Sequence, residues 1–403
     1  ESCMSKAVKV MGIAAVSAIM LTPHLVLAAS KWESPTPFEL KADAFKKEVD
    51  GKQVDLYTIR NSKGMVVRIT NYGAKIEQII VPDRYGKMGD VAQGYESIDR
   101  VMQGQASMGA FIGRFANRLG GGTLKLDGNE YKLAINDGGG RPNTLHGGTK
   151  GSRFIPFEAK QLAANSVQMA ILFKDGEEGF PGDLPVRVTY TVTENNELVL
   201  SYDAVSANKT TVANFTGHTF FNLSGDLGSS IEDHVITVNA GKVLEVSPAL
   251  TPNGKMRDVA GTPMDFRKPK SFGQDIKVDY DLLKAGNGYD NHYVVSQKTP
   301  GEMTFHASAM DPKSGRIMEV WSTEPGVQLY SGNFLEGKAP RDVGKGNLYQ
   351  FRSGFCIEPS HFPDAPNHPE FASITLKPGE WYSGKIVYKF STDKAGKKTA
   401  GKK

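Results

Sequence analysis

Residues 186–202 read VRVTYTVTENNELVLSY, and the pattern of this segment is typical of an all-β protein. Apolar side chains take every second position of its first half, at Val186, Val188, Tyr190 and Val192. The polar turn 194–196 follows, and the segment 198–202 is again mainly apolar. Successive side chains of a strand point to opposite faces, so this pattern predicts an antiparallel hairpin with one buried face.

Similar strand signals recur on both sides of this hairpin. A second hairpin is predicted at 123–133, where Asp127 and Gly128 supply a typical turn. Further strands are predicted at 65–70, 75–81, 167–173, 234–238, 303–309, 317–321, 327–331 and 385–390. Helical periodicity is nearly absent, and short helical turns are predicted only at 97–102 and 107–111. The 44 Gly and 21 Pro fit many tight turns, so the sequence predicts an all-β, mostly antiparallel sandwich with few short helices.

The amino terminus has the features of a secretory signal peptide over residues 1–28. Lys6 and Lys9 precede an apolar run at 10–21, and Ala28 offers a small residue for cleavage. Residues 1–3 precede Met4, and they would be non-native if translation starts there. The chain is therefore predicted to be exported, to the periplasm or the extracellular space, without membrane contact after cleavage. A signal anchor is the alternative, because 11–28 is largely apolar.

The mature chain is predicted to have one domain, 29–391, and a Lys-rich disordered tail, 392–403. Lys and Arg number 48 and Asp and Glu 44, which gives a net charge of +4. Residues 393–403 hold five Lys and one Asp, which equals the whole excess. A nucleic-acid-binding protein normally carries its basic excess on the folded body, so no nucleic-acid partner is predicted. Cys356, the one Cys left after cleavage, is predicted to be a small buried strand residue.

Polar side chains interrupt apolar or Gly-rich runs in six segments, 113–118, 143–148, 217–223, 289–293, 325–330 and 355–359. Any one of these side chains alone most simply has a structural role. Together they offer two His, a Glu, an Asp, an Arg, an Asn and a Gln, a set that suits the many hydroxyls of a sugar. The Gly runs at 120–122 and 138–140 do not match a phosphate loop, and no Cys/His cluster has zinc spacing. No metal or cofactor is predicted.

The motifs resemble those of the aldose 1-epimerase, or galactose mutarotase, family. The resemblance extends from Thr58 to Tyr388, and the matching motifs follow the order of the family. They lie at 71–74, 81–83, 113–118, 145–148, 179–183, His218 with 221–223, 325–330 with 332–334, and Glu358 with 363–367. Each match is short, and the ordered set is what makes the resemblance specific.

This resemblance implies a galactose-mutarotase-like β-supersandwich with the site in a cleft on a broad sheet. It implies that Glu358 is the general base and His218 the general acid. It also implies a set of sugar-binding residues, namely Asn117, Arg118, His146, Asp290 and Gln328. Two positions depart from the family pattern, because Gly217 stands where Asn is common and Pro359 where Thr is frequent.

The implied reaction interconverts the α and β anomers of free aldohexoses such as galactose and glucose. A base removes the proton on O1 while an acid protonates the ring oxygen, the ring opens, and the aldehyde recloses on its other face. A carboxylate and an imidazole on opposite sides of the ring would serve, and they exchange roles in the reverse direction. The reaction is neither redox nor group transfer, so it requires neither a metal nor an organic cofactor.

Three alternatives remain open from the sequence. The first is a catalytically silent sugar-binding or partner-binding protein on the same fold. The second is an epimerase of another hexose derivative such as a sugar phosphate, which needs clustered Arg or Lys, whereas the motifs contain only Arg114 and Arg118. The third is a lyase or glycosidase, which needs paired carboxylates or a Tyr/Arg base.

Overall fold

The hairpin predicted at 186–202 lies inside the largest sheet of the protein. In the computed structural model, which describes residues 32–394, Leu184–Val192 pairs antiparallel with Glu197–Val205. Buried side chains alternate along the first of these strands, as the sequence predicts. The complete sheet has nine strands in the spatial order Glu158–Ala163, Ser166–Phe173, Leu184–Val192, Glu197–Val205, Trp381–Thr392, Arg316–Ser322, Thr304–Met310, Val235–Val238 and Lys270–Ser271.

Two smaller sheets complete the sandwich. A five-stranded sheet has the order Pro252–Asp258, Lys242–Val246, Asp290–Val294, Gly326–Tyr330 and Cys356–Ser360. A four-stranded sheet has the order Leu56–Arg60, Val66–Thr70, Lys75–Pro82 and Met88–Asp90. One continuous apolar core contains side chains from all three sheets, for example Val188, Tyr293 and Ile69. Burial of these apolar faces is the main stabilising term for such a fold.

Short hairpins and strand pairs connect the large sheets. They are Lys47–Val49 with Lys52–Val54, Thr123–Leu126 with Asn129–Lys132, Arg118–Gly120 with Asn143–Leu145, Thr211–Val212 with Thr375–Leu376, Phe111–Ile112 with Thr216–Gly217, and Val343–Gly344 with Asn347–Leu348. All of the paired strands named here and above are antiparallel. The hairpin predicted at 123–133 is therefore confirmed, and so is the all-β, mostly antiparallel fold class.

Helices are few and short in the described chain. The α-helices are Ile98–Gln103, Phe272–Asp275 and Asp281–Gly286, and the 3-10 helices are Ala42–Phe45, Gly138–Gly140, Ser152–Phe154, Glu177–Gly179 and Ala365–Asn367. The helical turn predicted at 97–102 is present, whereas the one predicted at 107–111 is wrong. Gly109 has a φ of +80°, outside the right-handed helical region, and the chain enters the strand Phe111–Ile112 instead. Within residues 32–394, no helix is long and apolar enough to cross a membrane.

The predicted domain boundaries are only partly visible in the structure. The segment 1–28 and most of 392–403 lie outside the described residues. The last strand reaches Thr392, and the guanidinium of Arg84 donates hydrogen bonds to the carboxylate of Asp393, at 3.1 and 2.6 Å. The folded body therefore extends two residues past the predicted boundary at 391. From Glu33 onward, the described chain forms one compact unit.

Candidate active site

One cavity brings together every site residue named from the sequence. Its lining includes Asn117, Arg118, His146, His218, Asp290, Gln328 and Glu358. These residues come from positions far apart in the chain, and all of them are at most 8% exposed. The cavity wall is completed by Gln105, Ser107, Leu145, Arg153, Phe220, Tyr330 and Phe334.

Three neighbouring strands of the five-stranded sheet position the acidic and amide groups. Gln328 lies directly opposite Glu358 on one neighbouring strand and opposite His292 on the other. Directly paired residues of antiparallel strands point to the same face of the sheet, so Glu358 and Gln328 project together. Asp290 is the first residue of its strand, two positions before His292, and alternation places it on that face as well.

Glu358 and His218 are in direct contact. The Nε2 atom of His218 lies 3.3 Å from Oε1 of Glu358, and both side chains are buried. The candidate base and the candidate acid are therefore adjacent side chains in one cavity. Since O1 and the ring oxygen of an aldose are bonded to the same carbon, adjacent groups can reach both oxygens.

Backbone and side-chain contacts fix the ring of His218. Its backbone N–H donates to the carbonyl of Ala110 at 2.9 Å, and its ring stacks on Phe220 with the ring centroids 5.2 Å apart. Its Nδ1 lies 3.6 Å from Sγ of Cys356, two residues before Glu358. Cys356 is fully buried on its strand, as predicted, and it also contacts the second ring nitrogen of the candidate acid.

His146 and Asn117 hold each other in unusual backbone conformations. Their φ angles are +49° and +67°, in the left-handed region that costs most residues energy. The backbone N–H of His146 donates to the carbonyl of Asn117 at 2.9 Å, and the N–H of Asn117 donates to Nδ1 of His146 at 3.0 Å. Because Nδ1 accepts, the neutral ring carries its proton on Nε2, which is then a donor.

The glycine that follows His146 is required by a close backbone approach. A Cβ at Gly147 would lie 2.2 Å from the carbonyl oxygen of Gly113. Only glycine allows the His146 turn to pack this tightly against the 113–118 segment. The two motifs 113–118 and 145–148 are therefore neighbours in space for a steric reason.

Arg118 is oriented by a buried carboxylate. Its Nε donates to Asp137 Oδ2 at 2.7 Å, and the Asp137 side chain also accepts from Arg141 and Asn143. Although burial acts to raise it, the guanidinium of Arg118 and these hydrogen bonds hold the pKa of Asp137 below its ordinary value. Arg118 therefore forms its ion pair with Asp137.

A short hydrogen-bonded chain fixes Gln328. Its amide Nε2 donates to Asp290 Oδ1 at 2.8 Å, and its Oε1 lies 3.1 Å from Nδ1 of His292. Since the amide nitrogen donates to Asp290, the amide oxygen must accept from His292. Burial raises the pKa of Asp290, and Arg118 and the bond from Gln328 oppose that shift.

Burial disfavours the charged forms of the central pair. Burial, with the nearby charge of Asp290, raises the pKa of Glu358 well above its ordinary value, and Arg118 opposes the shift. Burial also lowers the pKa of His218 to about 3, and the charges of Arg153 and Arg118 act in the same direction. For the same main reason, the pKa of His146 lies well below its ordinary value. Such strongly shifted groups in a cleft are typical of acid–base sites.

Metal binding by the same side chains is sterically feasible. Ligand atoms of His146, His218 and Glu358 lie within 4.8 Å of one another. Two His and a carboxylate are a common donor set for transition metals. The anomer interconversion implied by the motifs uses these groups for proton transfer and needs no metal.

The two departures from the family pattern have local explanations. A Cβ at Gly217 would lie 2.8 Å from the hydroxyl of Tyr388, so this tyrosine fills the space of a larger side chain. Pro359 lies on Cys356–Ser360, an outer strand of the five-stranded sheet, where the missing N–H is tolerated. Both changes leave His218 and Glu358 in contact.

Several residues that support the site were not named as site residues from the sequence. His292 could have been found from strand alternation, because it is two residues after Asp290 on the same face. Asp137 and Arg153 carry no local signal, since the chain reaches the cavity there through irregular segments. Arg114, in contrast, is structural, because its guanidinium donates to the carbonyls of Pro181, Gly182 and Lys174.

Comparison with known proteins shows the family of the chain. The profile of the aldose 1-epimerase family matches residues 55–389. Galactose mutarotase of Bos taurus is 42% identical over 325 residues, which cover 81% of this chain and 91% of that protein. Aldose 1-epimerase of Escherichia coli K12 is 33% identical over 344 residues, which cover 85% and 96%.

Solved structures show the same fold. The crystal structure of an aldose epimerase homologue from C. elegans matches with a TM-score of 0.75 and 30% identity, and it covers 84% of this chain and 99% of that one. Galactose 1-epimerase from Lactobacillus acidophilus matches with a TM-score of 0.74 and 27% identity, covering 88% and 99%. The fold and the site together define a carbohydrate isomerase of the galactose-mutarotase-like class. The chain belongs to the aldose 1-epimerase family.

Proposed function

We propose that the protein interconverts the α and β anomers of free aldohexoses, with galactose and glucose as substrates. The observation that carries this proposal is the 3.3 Å contact between His218 Nε2 and Glu358 Oε1 inside a cavity rich in hydroxyl-binding groups. A protein that only bound sugar would have no need of two buried groups whose charged forms are disfavoured. Relatives named galactose mutarotase and aldose 1-epimerase support the same activity.

Glu358 and His218 have complementary parts in the proposed mechanism. The carboxylate of Glu358 takes the proton of O1, and the imidazolium of His218 donates a proton to the ring oxygen. The C1–ring oxygen bond breaks as the C1=O bond forms, and rotation about C1–C2 exposes the other face of the aldehyde. Reclosure reverses both transfers. Each positioned group contributes a rate factor of roughly 10²–10⁴.

One shared proton is enough for the whole cycle. Before ring opening, the pair holds the proton on His218, and after ring opening it holds the proton on Glu358. Burial favours the neutral carboxylic acid and the neutral imidazole, which is the protonation state that follows ring opening. Reclosure restores the first state, because His218 takes the proton back from the C5 hydroxyl while Glu358 returns its proton to O1. The pair therefore needs no other proton carrier.

The remaining polar residues hold the sugar in this proposal. His146 offers its Nε2–H, Arg118 its guanidinium, and Asp290 a carboxylate, so the cavity has both hydrogen-bond donors and acceptors. Asn117 and Gln328 add amide groups. Such a set fixes the orientation of a polyhydroxylated ligand and keeps C1 beside the acid–base pair.

Polarimetry tests the activity. The optical rotation of freshly dissolved α-D-galactose or α-D-glucose should decay faster with the folded protein than without it. The acceleration should persist after dialysis against a chelator, because the proposed proton transfers use only side chains. An unchanged decay at micromolar protein would contradict the proposed function and favour a silent sugar-binding protein.

We also propose that the chain is exported, because a charged start, an apolar run and a small-residue site occur in order over 1–28. The proposed destination is the periplasm or the extracellular space. Amino-terminal sequencing of protein from the native source tests this proposal. A mature start close to residue 29 is expected, and an uncleaved chain in the membrane fraction would favour the signal-anchor alternative.

A further inference from the structure

Arg153 lines the cavity but has no part in the proposed proton transfers. It belongs to the 3-10 helix Ser152–Phe154 and is 7% exposed. One terminal nitrogen donates to Ser107 Oγ at 2.9 Å, and Nε is buried without a hydrogen-bond partner. Among the described residues, no carboxylate lies within the 4.0 Å of an ion pair with Arg153. A buried guanidinium without an anionic partner is costly unless a ligand provides one.

The other arginine of the cavity differs in this respect. Arg118 forms an ion pair with Asp137 at 2.7 Å, and Asp137 also pairs with Arg141 at the cavity margin. Arg118 also lies close enough to Asp290 and Glu358 for its charge to act on both carboxyl groups. Arg118 is thus compensated by a carboxylate in direct contact, whereas Arg153 receives only the more distant charge of Asp137 and the face of the Phe154 ring, whose centroid lies 5.1 Å from its Cζ.

The contacts of Arg153 place it on the His218 side of the cavity. Ser107, its hydrogen-bond partner, is two residues before Gly109, whose N–H donates to the carbonyl of His218 at 3.0 Å. The next residue, Ala110, accepts from the N–H of His218 at 2.9 Å. The charge of Arg153 acts on His218 and His146, in agreement with this position.

The position of His218 relative to the sugar then identifies the substituent that Arg153 meets. In the proposed mechanism, Glu358 faces O1 and His218 faces the ring oxygen. In an aldohexose, the carbon on the other side of the ring oxygen is C5, which carries C6. A group beside His218 and away from Glu358 therefore lies near the C6 substituent.

We infer that Arg153 binds an anionic group at C6, so that the enzyme prefers acidic aldoses, namely hexuronates or hexose 6-phosphates, over neutral hexoses. Both anions present oxygen atoms that a guanidinium binds with two parallel hydrogen bonds. A neutral hydroxymethyl group at C6 would leave Arg153 without an anionic group in contact. This inference rests on the proposed aldose 1-epimerase activity and names its substrate class.

Magnetisation exchange between the two anomeric protons in NMR spectra provides the test, because it measures anomerisation at equilibrium without a pure anomer. The rates are measured for glucose, glucuronate and glucose 6-phosphate with the parent protein, Arg153→Gln and Arg153→Lys. The parent should have a kcat/KM for at least one acidic sugar about tenfold or more above that for glucose. Arg153→Gln should lower this ratio by about 10- to 100-fold, the usual value of a charge-assisted hydrogen bond, and Arg153→Lys by less.

The controls separate specificity from folding and from the activity itself. Arg187→Gln removes a positive charge outside the cavity and should leave the ratio unchanged. If Arg153→Gln does not fold, the melting temperature of the parent protein with each sugar tests the inference instead. Glucuronate or glucose 6-phosphate should raise this temperature more than glucose does. Equal or lower kcat/KM for both acidic sugars would overturn the inference while leaving the proposed function intact. Absence of activity on all three sugars would overturn both the inference and the proposed function. If the acidic sugars are preferred, the one with the higher kcat/KM shows whether Arg153 binds a carboxylate or a phosphate.

Discussion

The Nε2 atom of His218 lies 3.3 Å from Oε1 of Glu358, and neither side chain is more than 7% exposed. Two ionisable groups are thus held against each other in a place where water cannot solvate their charges. This arrangement costs stability, and it supplies a carboxyl group and an imidazole that exchange protons readily. Buried ionisable groups of this kind are common at active sites, where the groups that function requires lower the stability of the fold.

Glu358→Gln should therefore stabilise the protein at neutral pH. Burial raises the pKa of Glu358 above the value near 4.5 of the unfolded chain, so the folded state binds this proton where the unfolded state does not. Stability of the parent then falls as the pH rises from about 4.5 through the folded pKa. Urea unfolding of parent and variant should show a difference in the free energy of unfolding that increases with pH over this range. A difference independent of pH would contradict the raised pKa.

His306→Leu should make the stability of the protein less sensitive to acid. Burial lowers the pKa of His306 from 6.5 to about 4, so between these values the unfolded chain binds a proton that the folded chain does not. The parent therefore loses stability as the pH falls through this window, by up to about 1.4 kcal/mol per pH unit. The variant should lack this loss, and its stability relative to the parent should rise as the pH falls from 6.5 to 4. Parallel pH dependences would contradict this prediction.

Gly217→Ala should destabilise the fold mainly through a clash with Tyr388, since the second close neighbour, Leu200 Cδ2, would lie 3.1 Å from the added Cβ. The added Cβ would lie 2.8 Å from the hydroxyl of Tyr388, which is buried and has no hydrogen-bond partner. Overpacking of this kind costs about 1–3 kcal/mol. Tyr388→Phe removes the hydroxyl, so the double variant should recover most of the loss in thermal unfolding. A purely additive double variant would show that another contact restricts position 217.

Asp137→Asn should weaken sugar binding more than it slows the chemistry. The substitution keeps the shape of the side chain and removes the charge that orients Arg118. KM should rise by roughly tenfold with little change in kcat, because Asp137 acts through Arg118 on ligand orientation. Arg118→Gln should give a larger rise in KM, and the two effects should not add. A fall in kcat at unchanged KM would indicate that Asp137 influences the proton transfers instead.

Local patterns were sufficient to predict most strands of the large sheet, whereas its two edge strands, Glu158–Ala163 and Lys270–Ser271, were not predicted. Alternation along 186–202 predicts both register and burial, because the side-chain period of a strand is fixed by its geometry. The segment 107–111 shows where this reasoning fails. Its short apolar run fits a helical turn, and the positive φ of Gly109 together with pairing of Phe111–Ile112 to a distant strand overrides that local preference.

The site was predictable only as far as its motifs extend. Glu358 and His218 stand in recognisable motifs, whereas their contact depends on two strands that meet from different parts of the chain. Asp137 supports Arg118 from a Gly-rich loop, and Arg153 reaches the cavity from a three-residue helix. Neither Asp137 nor Arg153 lies in a segment with a periodic apolar pattern, so its role depends on long-range packing that the local sequence does not reveal.

The turnover of Glu358→Gln with galactose decides whether Glu358 and His218 act as an acid–base pair. Glutamine keeps the size and reach of the side chain and cannot take the O1 proton. Turnover should fall by roughly 10²–10⁴-fold with little change in sugar affinity, His218→Asn should act similarly, and the double variant should lose little more than either one. Near-normal turnover of a folded Glu358→Gln protein would contradict the mechanism even though the fold is that of the family.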